Sequence, residues 1–417
     1  MGNNVRLSDV ATIIMGQSPP SSTYNKSRIG LPFFQGISDF NYRYPTERIF
    51  CSSPTRVAIP GDILFSVRAP IGRVNIAQVE SATGRGIAII RAKNPNDSKY
   101  LEYFLRSIES YWDVLEGSGS VFGNATKSDL SSLYVPWPEM KEAREAIGCI
   151  LGSLDDKIEL NRQMCKTLED TAQAIFKSWF VDFDPVHAKA AGKQPVGLKP
   201  EIAALFPDSF EDSEVGKIPK GWRVTGLDSL GTFLNGLALQ KYPPLNDDSL
   251  PVVKIAQLRT NDTASADRAS ANIGLEYIVN DGDILFSWSG SLECVIWFGG
   301  AGALNQHLFK VTSARYSKWF LYLWIHRHLP EFRHIAAGKA TTMGHIQRHH
   351  LKEAKVLVPH NNLLSSEDKI MEPIFEAIIS RSLENRKLAV LRDTLLPKLV
   401  SGEIRVEDAE RIMERSV

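Results

Sequence analysis

The string GDILFSVRAPIG occupies residues 61–72 and GDILFSWSGSLE residues 282–293, so six identical residues recur 221 positions apart and then diverge. A short apolar run entered through a Gly-Asp turn has the character of a buried strand. Meeting it twice raises the question of whether the chain holds one domain twice. The correspondence continues outward from the string. LSDVATIIMG (7–16) parallels LDSLGTFLNG (227–236) at an offset of 220, and LPFFQGISDF (31–40) parallels LPVVKIAQLR (250–259) at 219. The offset of 221 then holds from Gly61/Gly282 through Gly117/Gly338, Gly123/Gly344, Leu130/Leu351 and Pro138/Pro359. So few gaps over such a length indicate a duplicated domain.

A long helical pattern succeeds each copy. Ile147, Leu151, Leu154, Ile158, Asn161, Cys165, Leu168, Ala172, Ile175 and Trp179 step alternately by four and three, the seam of a coiled coil with a polar residue inside it. Met371, Phe375, Ile378, Ser382 and Asn385 keep the same rhythm, and Leu388, Leu391, Leu395 and Leu399 continue it after a slip. Asn161 and Asn385 fall at matching seam positions, where a buried amide typically fixes register. Each stripe is too narrow to be stable alone, so the two helices are expected to pack on each other, antiparallel and about a pseudo-twofold axis. The stretch 147–179 would reach about 50 Å at 1.5 Å per residue, which makes it a spacer. The expected division is a first domain at 1–138, a first long helix at 139–184, a linker at 185–217, a second domain at 218–359, a second long helix at 360–403 and a C-terminal tail at 404–417.

At 417 residues, with 43% hydrophobic and 23% charged residues, the chain has the make-up of a globular protein of two to three domains. Its N-terminus carries no apolar export signal, Arg6 spoils a myristoylation pattern, and the apolar runs fall short of a membrane span. Four cysteines without C-x-x-C spacing fit reduced thiols in a cytoplasm. The formal net charge is zero, which argues against a uniformly basic nucleic-acid binder. The charge is nevertheless uneven. Residues 17–93 hold ten Lys/Arg against four Asp/Glu, and residues 306–360 hold nine against two together with eight histidines. Two basic lobes could each sit on a phosphate backbone while acidic segments such as PDSFEDSE (207–214) compensate.

IFKSWFVDFDPVHAK (175–189), FPDSFEDSEVGKIPKGWRV (206–224), LPFFQG (31–36), GDILFSVRAPIG and LRDTLLPKLVSGEI (391–404), each at its place along essentially the whole chain, resemble the specificity subunit of type I restriction-modification systems. The resemblance implies duplicated α/β (α+β) target-recognition domains separated by an antiparallel pair of long coiled-coil helices. It also implies a bipartite double-stranded DNA site read one half per domain, two docked adenine methyltransferase subunits, and restriction subunits joining the assembly. No cofactor is expected on this chain, S-adenosylmethionine belonging to the partner.

A shared framework with divergent tips suits two readers of two short sequences, because base edges must be met by side chains matched to each base. The candidates in the first copy are Gln17, Ser18, Gln35, Arg68 and Arg73, and in the second Gln257, Arg259, Trp288, Gln306 and His307. Each arginine could reach guanine or only phosphate. The loops GSGSVFGNATK (117–127) and GKATTMGHIQR (338–348) let backbone approach a groove closely, adding Lys127, Lys339, Thr341, Thr342 and His345.

An enzyme reading finds little support. SPPS (18–21) and YPPL (242–245) lack the residues of a base-gripping methyltransferase motif, and no Walker motif is present. The histidines of HRH (326–328) and HIQRHH (345–350) raise a metal-dependent hydrolase as a rival, but they lie in one copy only and lack an E-x-x-H arrangement. A helical scaffold unrelated to DNA is the remaining alternative.

Overall fold

The computed structural model describes residues 3–117, 124–244, 248–338 and 344–416. The chain forms two compact units: Met1–Asn161 with Asn385–Val417, and Arg162–Glu384.

In the first unit, IAIIRA forms the strand Ile87–Ala92, flanked by antiparallel Ala11–Met15 and Ile63–Ser66. Val74–Ile76 completes this four-stranded sheet beyond Ile63–Ser66. A second sheet is organised around Leu31–Phe34 and Ser81–Thr83, which pair in parallel with Phe33 opposite Ala82. The second unit repeats the plan. Thr232–Asn235, Leu308–Thr312, Ile284–Ser287 and Cys294–Ile296 form the antiparallel sheet, and Ser249–Val253 pairs in parallel with Gly302–Leu304. In each unit a short strand also closes on the segment that leads into a long helix, Asn3–Arg6 with Tyr134–Trp137 and Arg223–Gly226 with Lys355–Val358.

The repeated string is the scaffold strand in both units, with all four residues of Ile63–Ser66 and of Ile284–Ser287 buried. Its glycine takes a left-handed conformation, φ 88° at Gly61 and 85° at Gly282, which a Cβ would strain. The adjacent aspartate closes the turn: Asp62 accepts the Ile59 N–H and Asp283 the Asn280 N–H, each at 2.8 Å. The last serine of the string staples the tip beyond it. Ser66 donates to Pro70 O at 2.8 Å and accepts the Arg73 N–H, while Ser287 donates to Ser291 O at 2.8 Å and accepts the Glu293 N–H. These bonds correct the uniform offset of 221. The tip is one residue shorter in the second copy, so that Phe65 faces Val74 but Phe286 faces Cys294.

The long helices are Lys141–Phe176 and Asn361–Ser401. Within the first unit Ile147, Ile150, Leu151, Leu154 and Ile158 join Leu388, Leu395, Leu396 and Leu399 in one core with the recognition sheets. Asp155 contacts Arg392 and Asn161 contacts Asn385, so the helices run antiparallel there. Within the second unit Ala172 and Phe176 pack with Leu363, Met371 and Phe375 in an aromatic-rich core that holds Phe180, Trp222, Trp319 and Phe320. A further helix, Val406–Ser416, lies in the segment expected as a tail, and its Ala409 is fully buried in the first unit's core. Among the described residues no helix is long and apolar enough to cross a membrane.

Candidate nucleic-acid interface

The divergent tip of each unit is held between two other segments by the same backbone bonds. In the first unit Val67 donates to Gly86 O at 3.0 Å and accepts from the Ala125 N–H at 2.9 Å, while Arg68 bridges Asn124. In the second, Trp288 donates to His307 O at 3.2 Å and accepts from the Ile346 N–H at 2.9 Å, while Ser289 bridges His345. A third segment adds to each: Gly16 and Gln17 donate to Ile87 O and Thr83 O, as Gly236 and Leu237 donate to Leu308 O and Leu304 O.

In the first unit these bonds bring Gln17, Ser18, Gln35 and Arg68 onto adjoining loops. Gln17, Gln35 and Arg68 are exposed, and Ser18 accepts the Arg85 N–H at 3.3 Å. Gln35 also lines an open cleft of about 580 Å³ with Lys26, Phe33, Ser38, Asp39, Arg48 and Ile49. Arg73 is placed differently, its guanidinium gripped by Glu109 at 3.1 Å and Asp113 at 3.0 Å. Lys127 is exposed in the first turn of the helix Lys127–Ser132, capped by Thr126.

In the second unit Trp288, Gln306, His307 and His345 converge. The Trp288 indole donates to Asn235 Oδ1 at 2.8 Å and to Gln306 O at 3.2 Å. Its ring centroid lies 5.7 Å from that of His307 and 6.3 Å from that of His345. Ser289 and His307 Nδ1 share a 2.9 Å hydrogen bond. Arg259 is exposed beside a cleft of about 550 Å³ under this tip, 3.9 Å from Glu293. Gln257 is buried and accepts the Lys254 N–H, a helix-capping role. Lys339, Thr341 and Thr342 lie outside the described residues.

The basic character of the first lobe is reduced by pairing. Arg43 meets Glu102 and Asp156, Arg48 meets Asp39, and Arg91 meets Asp62. Among the described residues Lys26, Arg56, Arg68, Arg85 and Lys93 make no ion pair and are exposed, so each is open to a phosphate.

The histidine-rich stretch divides into structural and surface groups. His326 bonds Cys294 O at 3.0 Å and His328 bonds Lys355 O at 2.9 Å, and burial lowers both below the ordinary imidazole range. Neutral rings wedged against backbone carbonyls serve the fold. His349, His350 and Glu353 have potential ligand atoms within 4.8 Å of one another, but His349 and Glu353 are exposed and His350 Nδ1 accepts the Gln347 N–H. Nothing in this cluster offers the enclosed, positioned centre that hydrolysis needs.

Arg85 is a residue that sequence reasoning missed. It lies exposed in the turn 83–86, its N–H donating to Ser18 Oγ while that of Gly86 donates to Gln35 O. A signal for it exists: the offset of 221 sets Arg85 and Gly86 against Gln306 and His307, which stand out in the second copy alone.

The family described as Type I restriction modification DNA specificity domain matches residues 3–170 and 219–392. The MjaIX specificity subunit of a type I restriction enzyme from Methanocaldococcus jannaschii is 27% identical, covering 97% of this chain and 93% of that protein. The HindI specificity subunit from Haemophilus influenzae is 28% identical over 82% and 86%. A putative MjaX specificity subunit from Methanocaldococcus jannaschii is 42% identical over 39% of this chain, but the match spans only 38% of that relative. The crystal structure of the S subunit of a type I restriction-modification system from M. genitalium shares the fold, with a TM-score of 0.55, 95% coverage of both chains and 15% identity. With its family signature present in two copies that coincide with the two repeats, the chain belongs to the type I restriction-modification DNA specificity family.

Proposed function

We propose that this chain is a non-catalytic subunit that reads a gapped double-stranded DNA site. Residues 1–138 and 218–359 would each recognise one half, and the long helices would set the gap and carry two adenine methyltransferase subunits. S-adenosylmethionine and the methyl-transfer chemistry would reside on those partners, restriction subunits would complete the complex, and it would act in the cytoplasm. The observation that carries the reading is the pair of tips: one hydrogen-bond framework holds Val67 and Arg68 in one copy and Trp288 and Ser289 in the other. A scaffold kept constant while the side chain it presents changes, the exposed Arg68 in one copy and the half-buried Trp288 in the other, is what two readers of unlike sequences require. Gln17, Ser18, Gln35, Arg68, Arg259, Trp288, Gln306, His307 and His345 would face the grooves, and Lys127, matched by Arg348 in the second copy, the backbone. Arg73 and Gln257, engaged within the fold, would act by positioning.

The test is to express the chain with its cognate methyltransferase subunit and map methylated adenines across the host genome. A gapped motif is expected, and exchange of residues 218–359 for those of another family member should alter one half and leave the other half and the gap intact. A continuous motif, or alteration of both halves, overturns the reading.

A further inference from the structure

We infer that Arg85 determines specificity in the first unit by reading a guanine of its half-site; this rests on the DNA-reading function proposed above. The turn that carries it is pinned on every side. Gly84 donates to Phe34 O at 2.8 Å, Arg85 to Ser18 Oγ at 3.3 Å and Gly86 to Gln35 O at 3.1 Å, while Thr83 O accepts the Gln17 N–H and Gly86 O the Val67 N–H. The flanking glycines are required by this closeness. A Cβ at Gly86 would lie 2.3 Å from Gln35 O, and one at Gly84 3.1 Å from Gln35 Cα. Arg85 is thus the side chain of the turn's centre that projects to solvent, and it has no ion pair or side-chain hydrogen bond among the described residues. The fixed backbone sets where the guanidinium is attached, and its planar fork has the donor geometry for bidentate recognition of guanine O6 and N7.

Comparison of the two copies separates base reading from phosphate binding. Phosphates are the same in every sequence, so a phosphate-binding position should keep its charge in both copies, whereas a base-reading position should change with its base. The position equivalent to Arg85, fixed by the matching bonds of Val67 to Gly86 O and Trp288 to His307 O, is the neutral Gln306. The charge is replaced where the framework is kept. The first half-site therefore contains a guanine met by Arg85, and the second copy makes no guanidinium contact at the corresponding place.

The test uses the full chain in complex with its methyltransferase, its mapped methylation motif, and duplexes in which each base pair of each half-site is replaced in turn. Arg85→Ala should weaken binding to the cognate duplex by about 5- to 150-fold. It should have little effect once the contacted guanine is already replaced, and none on discrimination in the other half. Arg85→Lys, which keeps the charge and removes the planar fork, should retain random-duplex binding and lose discrimination at that same pair. An equal loss on every duplex with a salt slope reduced by about one would assign Arg85 to phosphate and overturn the inference. Unchanged binding, or a first half-site without guanine, overturns it too. If the unaltered complex gives no gapped motif, it is the proposed function that fails; a gapped motif with an indifferent Arg85 removes this inference alone.

Discussion

Two buried carboxylates show how differently the same chemical group is used. Asp155, 1% exposed, accepts the Tyr42 and Tyr103 hydroxyls at 2.8 Å each and Arg392 at 2.7 Å. Burial alone would raise its pKa, but the Arg392 and Arg106 charges and the hydrogen bonds from Arg392 and Tyr42 hold it below the usual range. It stays charged and ties both long helices to the loop carrying Tyr42 and the helix Ser98–Ser107 carrying Tyr103. Glu367, fully buried in the second unit, has no hydrogen bond to either carboxylate oxygen among the described residues, and burial, reinforced by the charge of Asp368, pushes its carboxyl well above the ordinary value. A carboxyl whose folded-state pKa exceeds its unfolded one carries no penalty below about pH 4, where both states are protonated. It destabilises increasingly as pH rises toward the folded value. Glu367→Gln should accordingly raise the unfolding midpoint of the second unit by a few degrees at about pH 8 and change it little at about pH 4. Thermal melts across that range check this, and a gain independent of pH would contradict it.

At the level of elements, the helix pair is apolar by rule and polar by exception. Asn161, 1% exposed, donates to Asn385 Oδ1 at 3.0 Å, with Ile158 and Leu388 as neighbouring apolar seam residues. An amide pair satisfies itself only when the two helices are in register, so any slip would leave one amide buried without its partner, at about 1–3 kcal/mol. Replacing both by Leu should raise the thermal midpoint through added apolar burial and should also admit further species in sedimentation velocity. One unchanged sedimenting species would show that the pair does not specify register. The seam spacing, including the position of both asparagines, is readable from sequence because it is a local period of the chain. The network around Asp155 is not, since Tyr42, Tyr103 and Arg392 carry no periodic signature relating them to residue 155.

Over the whole molecule, the first unit is discontinuous in sequence, taking in Asn385–Val417 as well as Met1–Asn161. The helix Val406–Ser416 contributes Ala409 and the partly buried Val406 and Met413 to a core built mainly from the first repeat. Deleting residues 403–417 should therefore destabilise the first unit, by a few kcal/mol given about 1.5–3 kcal/mol for each large apolar side chain buried in full. Hydrogen exchange resolved by segment is expected to show protection lost at Ile63–Ser66 and Ile87–Ala92 and kept at Ile284–Ser287. Equal loss in both strands would show that the helix stabilises the molecule generally.

Read alone, the sequence determined that one domain occurs twice, that GDILFS is a buried strand in each, and that each copy leads into a long helix with an asparagine in its seam. These are properties of identity and local period, which survive without knowledge of what lies across the core. Only the tertiary structure decided which polar groups remain available. Arg73 and Gln257 have the chemistry of readers but are engaged with Glu109, Asp113 and the Lys254 N–H, while His326 and His328 are neutral struts against backbone carbonyls. Arg85, inconspicuous in the sequence, stands exposed on a turn pinned from every side. The reason is that a charge's freedom depends on partners tens of residues distant, brought near by packing, and no spacing along the chain records which pairs will meet.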